Sequence, residues 1–318
     1  MEKEKLRALC KPLMNLETVE DCRDLLNRYI DFMFKVMKQH HYDPVDTQAK
    51  ADAKIIFQMV LTKALNVQNM LNGVEYNNGQ YKLNNIIDPT ILFTLVRNIF
   101  ETLCAFELVN AIPDTDDKRT IIYNLYKLSG LNYRKRFNDE TATPAMQRVL
   151  AQEELEIEES IKLIKDTDLY KSLDAPNKSK IDNAIKGKNY QLRIDSVNNV
   201  KSYGWGDIPS LFGASHLLLK NVYTLFSLNA HPSYVSMFQF RDMFPKNDPE
   251  YVNISLSCMY YCFSFLSIFL ADYIRLFPNI KATYMELSLE DQILLNFHNR
   301  LIRGESYSIC DSWKQLNS

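Results

Sequence analysis

Five side chains suited to proton transfer or anion binding recur at helical spacing in two separate segments. In the first segment Arg97 and Glu101 are four residues apart, so on a helix they lie on one face. In the second segment Tyr223, Ser227 and His231 follow one another at intervals of four and form a single stripe. If the two stripes face each other, an acid, a general base, a guanidinium and two hydroxyls meet in one cluster.

Both segments are otherwise apolar, so their polar residues are costly unless they are paired. The spacing of Arg97 and Glu101 therefore predicts an ion pair. His216 lies seven residues before Tyr223 and extends the second stripe, and Trp205 stands in a Gly-Trp-Gly turn from which it would close over the cluster. The catalytic candidates are His231, Arg97 and Glu101, and the ligand-binding candidates are Tyr223, Ser227, His216 and Trp205.

His231 occupies a helix end in this prediction. Pro232 disfavours helical geometry at the residue before it, so the helix ends there. In a catalytic site His231 would act as general acid or base, and Arg97 would stabilise an anionic transition state. The alternative is a buried hydrogen-bonded network that sets the helix register and does no chemistry.

Helix-start signals and apolar periodicity predict an all-α protein. Asp88-Pro89 and Asp248-Pro249 each place an N-cap acceptor before a proline at the first helical position. Glycine is scarce, with 8 in the chain, whereas β-sandwiches and nucleotide-binding folds use it freely. We predict an irregular multi-helix bundle with a small turn or hairpin near residues 73–85. Its core helices are predicted at 46–72, 90–112, 209–230 and 249–277.

The predicted organisation is a single helical domain with flanking parts. Residues 1–45 form N-terminal helices that pack on the bundle, residues 46–280 form the main domain, and residues 281–318 form a C-terminal helix and tail. The polar stretch Asp166–Gly206 is expected to be a broken excursion from that domain, with an interdomain linker as the alternative. His298 is expected on a terminal helix rich in exposed polar groups.

Composition and motifs narrow the function classes. The formal net charge of -2 indicates no basic surface of the kind that binds nucleic acid. A nucleic-acid partner is possible, but the charge does not support it. Phosphate-binding glycine loops, the GxSxG motif, the HExxH motif and paired CxxC motifs do not occur in the sequence, and we predict no cofactor and no metal. Six cysteines without a disulfide-scaffold spacing, and a charged first segment, predict reduced thiols in a cytoplasmic protein.

A long uncharged segment raises the question of a membrane. No charged residue occurs from Tyr251 to Ala271, which approaches the length of a membrane span. The segment contains several serines, and its aromatic residues lie in the middle and not at the ends. We therefore predict a core helix.

The sequence does not identify a binding partner. A small ligand, a protein partner and a homodimer all remain possible.

The pairing of Arg97 and Glu101 with Tyr223, Ser227 and His231 resembles an uncharacterised bacterial family of all-helical proteins, over about residues 50–275. A looser resemblance is to the HEPN helical bundles of toxin and anti-phage ribonucleases. In those proteins an arginine precedes a histidine by four to six residues on one helix, and the histidine acts in RNA cleavage. No histidine here has an arginine at that spacing, so Arg97 would have to serve from another helix. That resemblance implies a metal-independent hydrolase or ribonuclease as the alternative to a ligand-binding bundle.

Overall fold

The computed structural model describes residues 2–137, 143–243 and 249–317. Helices hold most of these residues, which confirms the all-α prediction. The helices are α1 (Glu2–Asn15), α2 (Val19–His40), α3 (Gln48–Met70), α4 (Pro89–Phe106), α5 (Asp116–Arg134), α6 (Pro144–Asp166), α7 (Asp168–Ser172), α8 (Ala175–Lys186), α9 (His216–Leu219), α10 (Val222–Ala230), α11 (Tyr234–Met243), α12 (Pro249–Leu276), α13 (Ile280–Met285), α14 (Leu289–Arg303) and α15 (Lys314–Asn317). The strands are β1 (Val74–Asn77), β2 (Lys82–Ile86), β3 (Leu192–Ile194) and β4 (Val200–Ser202).

The chain divides into two compact units. The first comprises Met1–Cys104 and Gly213–Ser318, and the second is Ala105–Phe212. Residues 1–45 and 281–318, which were predicted to flank the bundle, both belong to the first unit. The division of the chain into these three parts stays a prediction.

Side-chain caps set several helix starts. Thr18 and Asp21 form a reciprocal capping box at the start of α2, in which each side chain accepts the backbone N–H of the other residue. Asp88 accepts a hydrogen bond from the backbone N–H of Thr90 at 2.8 Å, as the Asp-Pro signal predicts for the start of α4. The cap expected at Asp248 lies outside the described residues.

The apolar centre of the first unit is α12. Side chains such as Phe263, Phe265 and Phe269 are fully buried there, and the helix packs against α2 and α14. The stretch Val252–Leu276 is long and apolar enough to cross a membrane, and 72% of an 18-residue window within it is buried inside the protein. A core helix and a membrane span both meet that criterion, so the location of the protein stays a prediction.

A buried ion pair joins α12 to α14. The side chains of Asp272 and Arg303 are 3% and 1% exposed, and they pair directly. Arg303 Nε also donates a hydrogen bond to Asn299 Oδ1 at 2.7 Å. Arg275 pairs with the same carboxylate from the surface, where its side chain is 53% exposed. Because a buried charge needs a partner, this pair couples the packing of the two helices.

The predicted continuous helix over residues 209–230 is wrong. A short 3-10 helix covers Ile208–Phe212, and α9 and α10 follow as separate pieces. Asn221 precedes α10 with φ 62°, a left-handed conformation that interrupts the helix. The predicted end at His231 is confirmed, since α10 stops at Ala230 and His231 is extended.

Two antiparallel ribbons accompany the helices. The pair β1 and β2 confirms the predicted hairpin near residues 73–85. The pair β3 and β4 lies within the polar stretch Asp166–Gly206, together with α7 and α8, so this stretch consists of short elements separated by turns. Its assignment as an excursion from one domain stays a prediction. Leu192, Ile194 and Val200 of this second ribbon are buried in a core with Ile121 of α5 and Ile181 of α8. The alternation of buried residues stabilises the ribbon in the second unit.

His298 is fully buried, so its predicted place among exposed polar groups is wrong. Tyr260, Phe263 and Phe297 surround its ring at centroid distances of 5.1, 5.7 and 4.9 Å. Neither ring nitrogen has a hydrogen-bond partner among the described residues. Burial lowers the pKa of His298 from 6.5 to about 3, because the charged imidazolium loses its hydration there.

The two arginines that share Asp272 predict unequal effects on stability. Arg303→Met leaves a buried carboxylate short of its partner, and we expect the free energy of unfolding to fall by about 3–5 kcal/mol. Arg275→Met removes an exposed partner of the same carboxylate, and we expect a loss below about 1 kcal/mol. Urea denaturation of both variants measures the difference. Equal losses would contradict a structural role for the buried pair.

The buried His298 predicts a pH dependence of stability. Between pH 6.5 and about 3 the unfolded chain binds a proton at this residue and the native chain does not. The free energy of unfolding should therefore fall by about 1.4 kcal/mol per pH unit below 6.5 from this group alone. Chemical denaturation at several pH values should show a shallower fall for His298→Phe. An unchanged slope would show that His298 does not contribute.

Candidate functional site

Four of the candidate residues meet in the first unit and are called here the Arg97 cluster: Arg97, Glu101, Tyr223 and His231. Arg97 and Glu101 lie one turn apart on α4, and Arg97 Nε donates to Glu101 Oε1 at 2.8 Å. This contact confirms the ion pair predicted from their spacing. Tyr223 lies in the first turn of α10, and His231 follows the last residue of that helix.

Arg97 is the centre of the cluster. Its Nη2 donates to the hydroxyl of Tyr223 at 2.9 Å, and its Nη1 lies 3.1 Å from Nε2 of His231. The guanidinium carbon is also 4.9 Å from the centroid of the Tyr223 ring. Three polar contacts to three residues hold the guanidinium in one orientation, and those with Tyr223 and His231 join α4 to the two ends of α10.

The contact between Arg97 and His231 assigns the protons of the imidazole. Arginine has donors only, so Nε2 of His231 must accept, and the ring is neutral with its proton on Nδ1 in this arrangement. If Arg97 turned its N–H to another acceptor, the lone pair on Nε2 would become available. Arg97 and His231 can therefore give up the hydrogen bond between them, and each can instead form one with a bound group.

Solvent reaches the cluster. The side chains of Arg97 and Glu101 are 18% and 29% exposed, Tyr223 is half-buried, and His231 is exposed. The polar network was expected to be buried, and the structure corrects this because the end of α10 lies at the surface. Burial in a sealed core is thus not what holds these residues together, and a solute can approach them.

Lys63 is a neighbour that the sequence reasoning missed. It lies on α3, where its Nζ contacts the hydroxyl of Thr102 on α4. Burial lowers the pKa of Lys63, and the charge of Glu101 acts in the opposite direction. No specific signal was available, because Lys63 is one of three lysines on α3 and many such lysines only extend their stems along the surface. Its nearness to Glu101 adds a second cation to the site.

Three other candidates are not brought into the cluster by any described contact. Ser227 donates to the backbone carbonyl of Tyr223 at 2.8 Å, so its hydroxyl proton is committed within α10. His216 begins α9, but its side chain lies outside the described residues. Trp205 belongs to the second unit, so its predicted closure over the cluster stays a prediction.

The described part of the chain contains no group of three or more His, Cys, Asp or Glu side chains arranged to hold a metal ion. Chemically, a guanidinium such as that of Arg97 can donate hydrogen bonds to an anion, and an imidazole such as that of His231 can transfer a proton.

No protein-family model matches the chain, and neither a curated protein nor a solved structure matches it significantly.

Proposed function

We propose that the Arg97 cluster binds a small anionic ligand that carries a carboxylate or a phosphate group. A guanidinium has five N–H donors, and Arg97 uses three of them on Glu101, Tyr223 and His231. No described residue accepts from the other two, one on each terminal nitrogen, and solvent reaches this place. This fixed pair of donors is the observation that carries the proposal, because it matches the two oxygens of a carboxylate or phosphate.

The surroundings of Arg97 favour an anion. Its three contacts order the guanidinium before binding, so less side-chain entropy is lost when a ligand arrives. Lys63 adds positive charge near Glu101. Glu101 offsets one of these charges and orients Arg97, so the site would hold a monoanion or dianion without a large excess of charge.

The ligand-binding proposal predicts a local response to anions. The ring C–H signals of His231 in an NMR spectrum should move when inorganic phosphate or succinate is added at constant ionic strength. Arg97→Gln removes the paired donors, and we expect roughly 10- to 100-fold weaker binding at that signal. The chain has 5 histidines, and His231→Gln identifies the signal.

Arg119→Gln is the matched control for this titration. Arg119 also pairs with a carboxylate on its own helix, Asp116, at 2.8 Å, but it lies in the second unit. Its substitution should leave the response of His231 unchanged. A His231 signal that stays still, or that responds alike in both arginine variants, would overturn the proposal.

A second candidate function is metal-independent cleavage of RNA. The observation that favours it is the 3.1 Å contact between Arg97 Nη1 and His231 Nε2, which places a base beside an anion-binding group. An RNA phosphate that accepts from Arg97 would release Nε2, which then takes the proton of the 2′-hydroxyl. The 2′-oxygen attacks phosphorus and the 5′-oxygen leaves, taking a proton from water. Arg97 stabilises the added charge on the phosphoryl oxygens.

The net charge of -2 favours binding of a small anion over cleavage of RNA. RNA-binding surfaces commonly carry a basic stripe that neutralises several phosphates, and the overall charge provides none. A small anion needs only the two donors of Arg97. Ligand binding is therefore the leading proposal, and RNA cleavage is the alternative that the same geometry supports.

The alternative predicts a defined activity. Purified protein in excess EDTA should cleave a single-stranded RNA to products ending in 2′,3′-cyclic phosphate, and it should leave the matching DNA intact because DNA lacks the 2′-hydroxyl. His231→Ala should abolish the cleavage while the melting temperature stays close to that of the unmodified chain. Cleavage that survives in both His231→Ala and Arg97→Gln, or no cleavage at all, would refute the ribonuclease.

A further inference from the structure

A small polar cavity of about 210 Å³ lies in the second unit, beside the ribbon formed by β3 and β4. Its polar lining consists of Asp114, Arg193, Asp195, Ser196, Lys201 and Tyr203. The volume is below that of most sites for drug-sized ligands, so an occupant would be a compact group. None of these residues belongs to the Arg97 cluster.

The ribbon places its polar residues on one face. Strand geometry alternates side chains, so Leu192, Ile194 and Val200 point into the core, where they are buried. Arg193 and Lys201 lie on the opposite face and are partners across the two strands. The cavity is therefore built on the solvent-facing side of a ribbon whose other side is anchored in the core.

Arg193 and Lys201 form a like-charge pair directly across the ribbon. Such a pair is destabilising, whereas opposite charges at the same positions would stabilise the ribbon. Neither side chain makes a hydrogen bond or an ion pair with any described residue. Arg193 is half-buried and Lys201 is exposed, and both line the cavity. Two cations thus face one small space without a direct ion pair, although the charge of Lys201 acts on the nearby Asp195.

The two carboxylates in the lining are already engaged. Asp114 pairs with Lys118 at 2.8 Å. Asp195 Oδ1 accepts the backbone N–H groups of Val197 and Asn199 at 3.0 and 2.9 Å. These backbone hydrogen bonds lower the pKa of Asp195, and the charge of Lys201 lowers it further. Both carboxylates therefore remain charged, and their direct hydrogen bonds and ion pairs are with groups other than the two strand cations.

We infer that this cavity binds the phosphate group of a small phosphate monoester. A monoester is close to a dianion at neutral pH and has three terminal oxygens, so it can neutralise Arg193 and Lys201 together. The hydroxyls of Ser196 and Tyr203 supply further donors at the cavity wall. A carboxylate has one charge and two oxygens, and it would leave one of the two cations without a partner.

The test is calorimetric titration of the full chain with inorganic phosphate and with phenyl phosphate, in the Arg97→Gln background and at matched chloride ionic strength. We expect saturable binding of both probes in this background, because the cavity does not depend on Arg97. Arg193→Gln and Lys201→Gln, each added to that background, should weaken binding roughly 10- to 100-fold. Binding of inorganic phosphate alone would mean a site for the free ion and would overturn the monoester assignment.

Lys162→Gln is the matched control, since Lys162 is an exposed lysine of α6 in the same unit and does not line the cavity. It should leave the affinity unchanged. A second measurement guards against misfolding: without phosphate, Lys201→Gln should melt at the same or a higher temperature, because it removes the repulsion from Arg193. Loss of affinity in the control equal to that in Lys201→Gln, or no binding in the Arg97→Gln background, would overturn the inference.

Discussion

The need to bury α12 constrains the first unit more than any other feature. The run from Tyr251 to Ala271 has no charge, and helices pack around it so that most of its apolar surface is removed from water. The first charge after that run, Asp272, is carried into the interior and is neutralised by Arg303 of α14. The same contact between α12 and α14 encloses His298, which explains a histidine without polar partners.

The aromatic core links α12 to the Arg97 cluster. Phe265 of α12 lies 5.1 Å from Phe100 of α4 and 5.9 Å from Phe226 of α10, measured between ring centroids. Tyr223 lies one turn before Phe226 and packs on Phe100 at 6.3 Å. The packing of these rings sets the position of α10 against α4. The distance from Arg97 to Tyr223 and His231 is therefore a consequence of apolar packing, and the polar contacts select the final orientation.

The candidate site shows which interactions a sequence can predict. The pairing of Arg97 with Glu101 follows from one turn of helix, and the end of α10 at His231 follows from Pro232, so both were predictable. Lys63 reaches the site from a third helix, and no local spacing indicates that. Asn221 adopts a left-handed conformation that interrupts the helix. A single asparagine in an apolar run is not enough to predict such a break. Local rules thus predicted the ion pair of Arg97 with Glu101 and the end of α10. They did not predict which residues from other helices join the site.

The sequence by itself determined the helical class, the start of α4 at Asp88 and the spacing of the polar stripes, because these depend on contacts within a few residues. Tertiary structure decided which stripes meet, how exposed they are, and where His298, Arg193 and Lys201 lie. Those outcomes depend on contacts between residues far apart in the chain. The free energy of burial is shared among many side chains, so no short segment reveals which polar group is enclosed and which is left facing solvent.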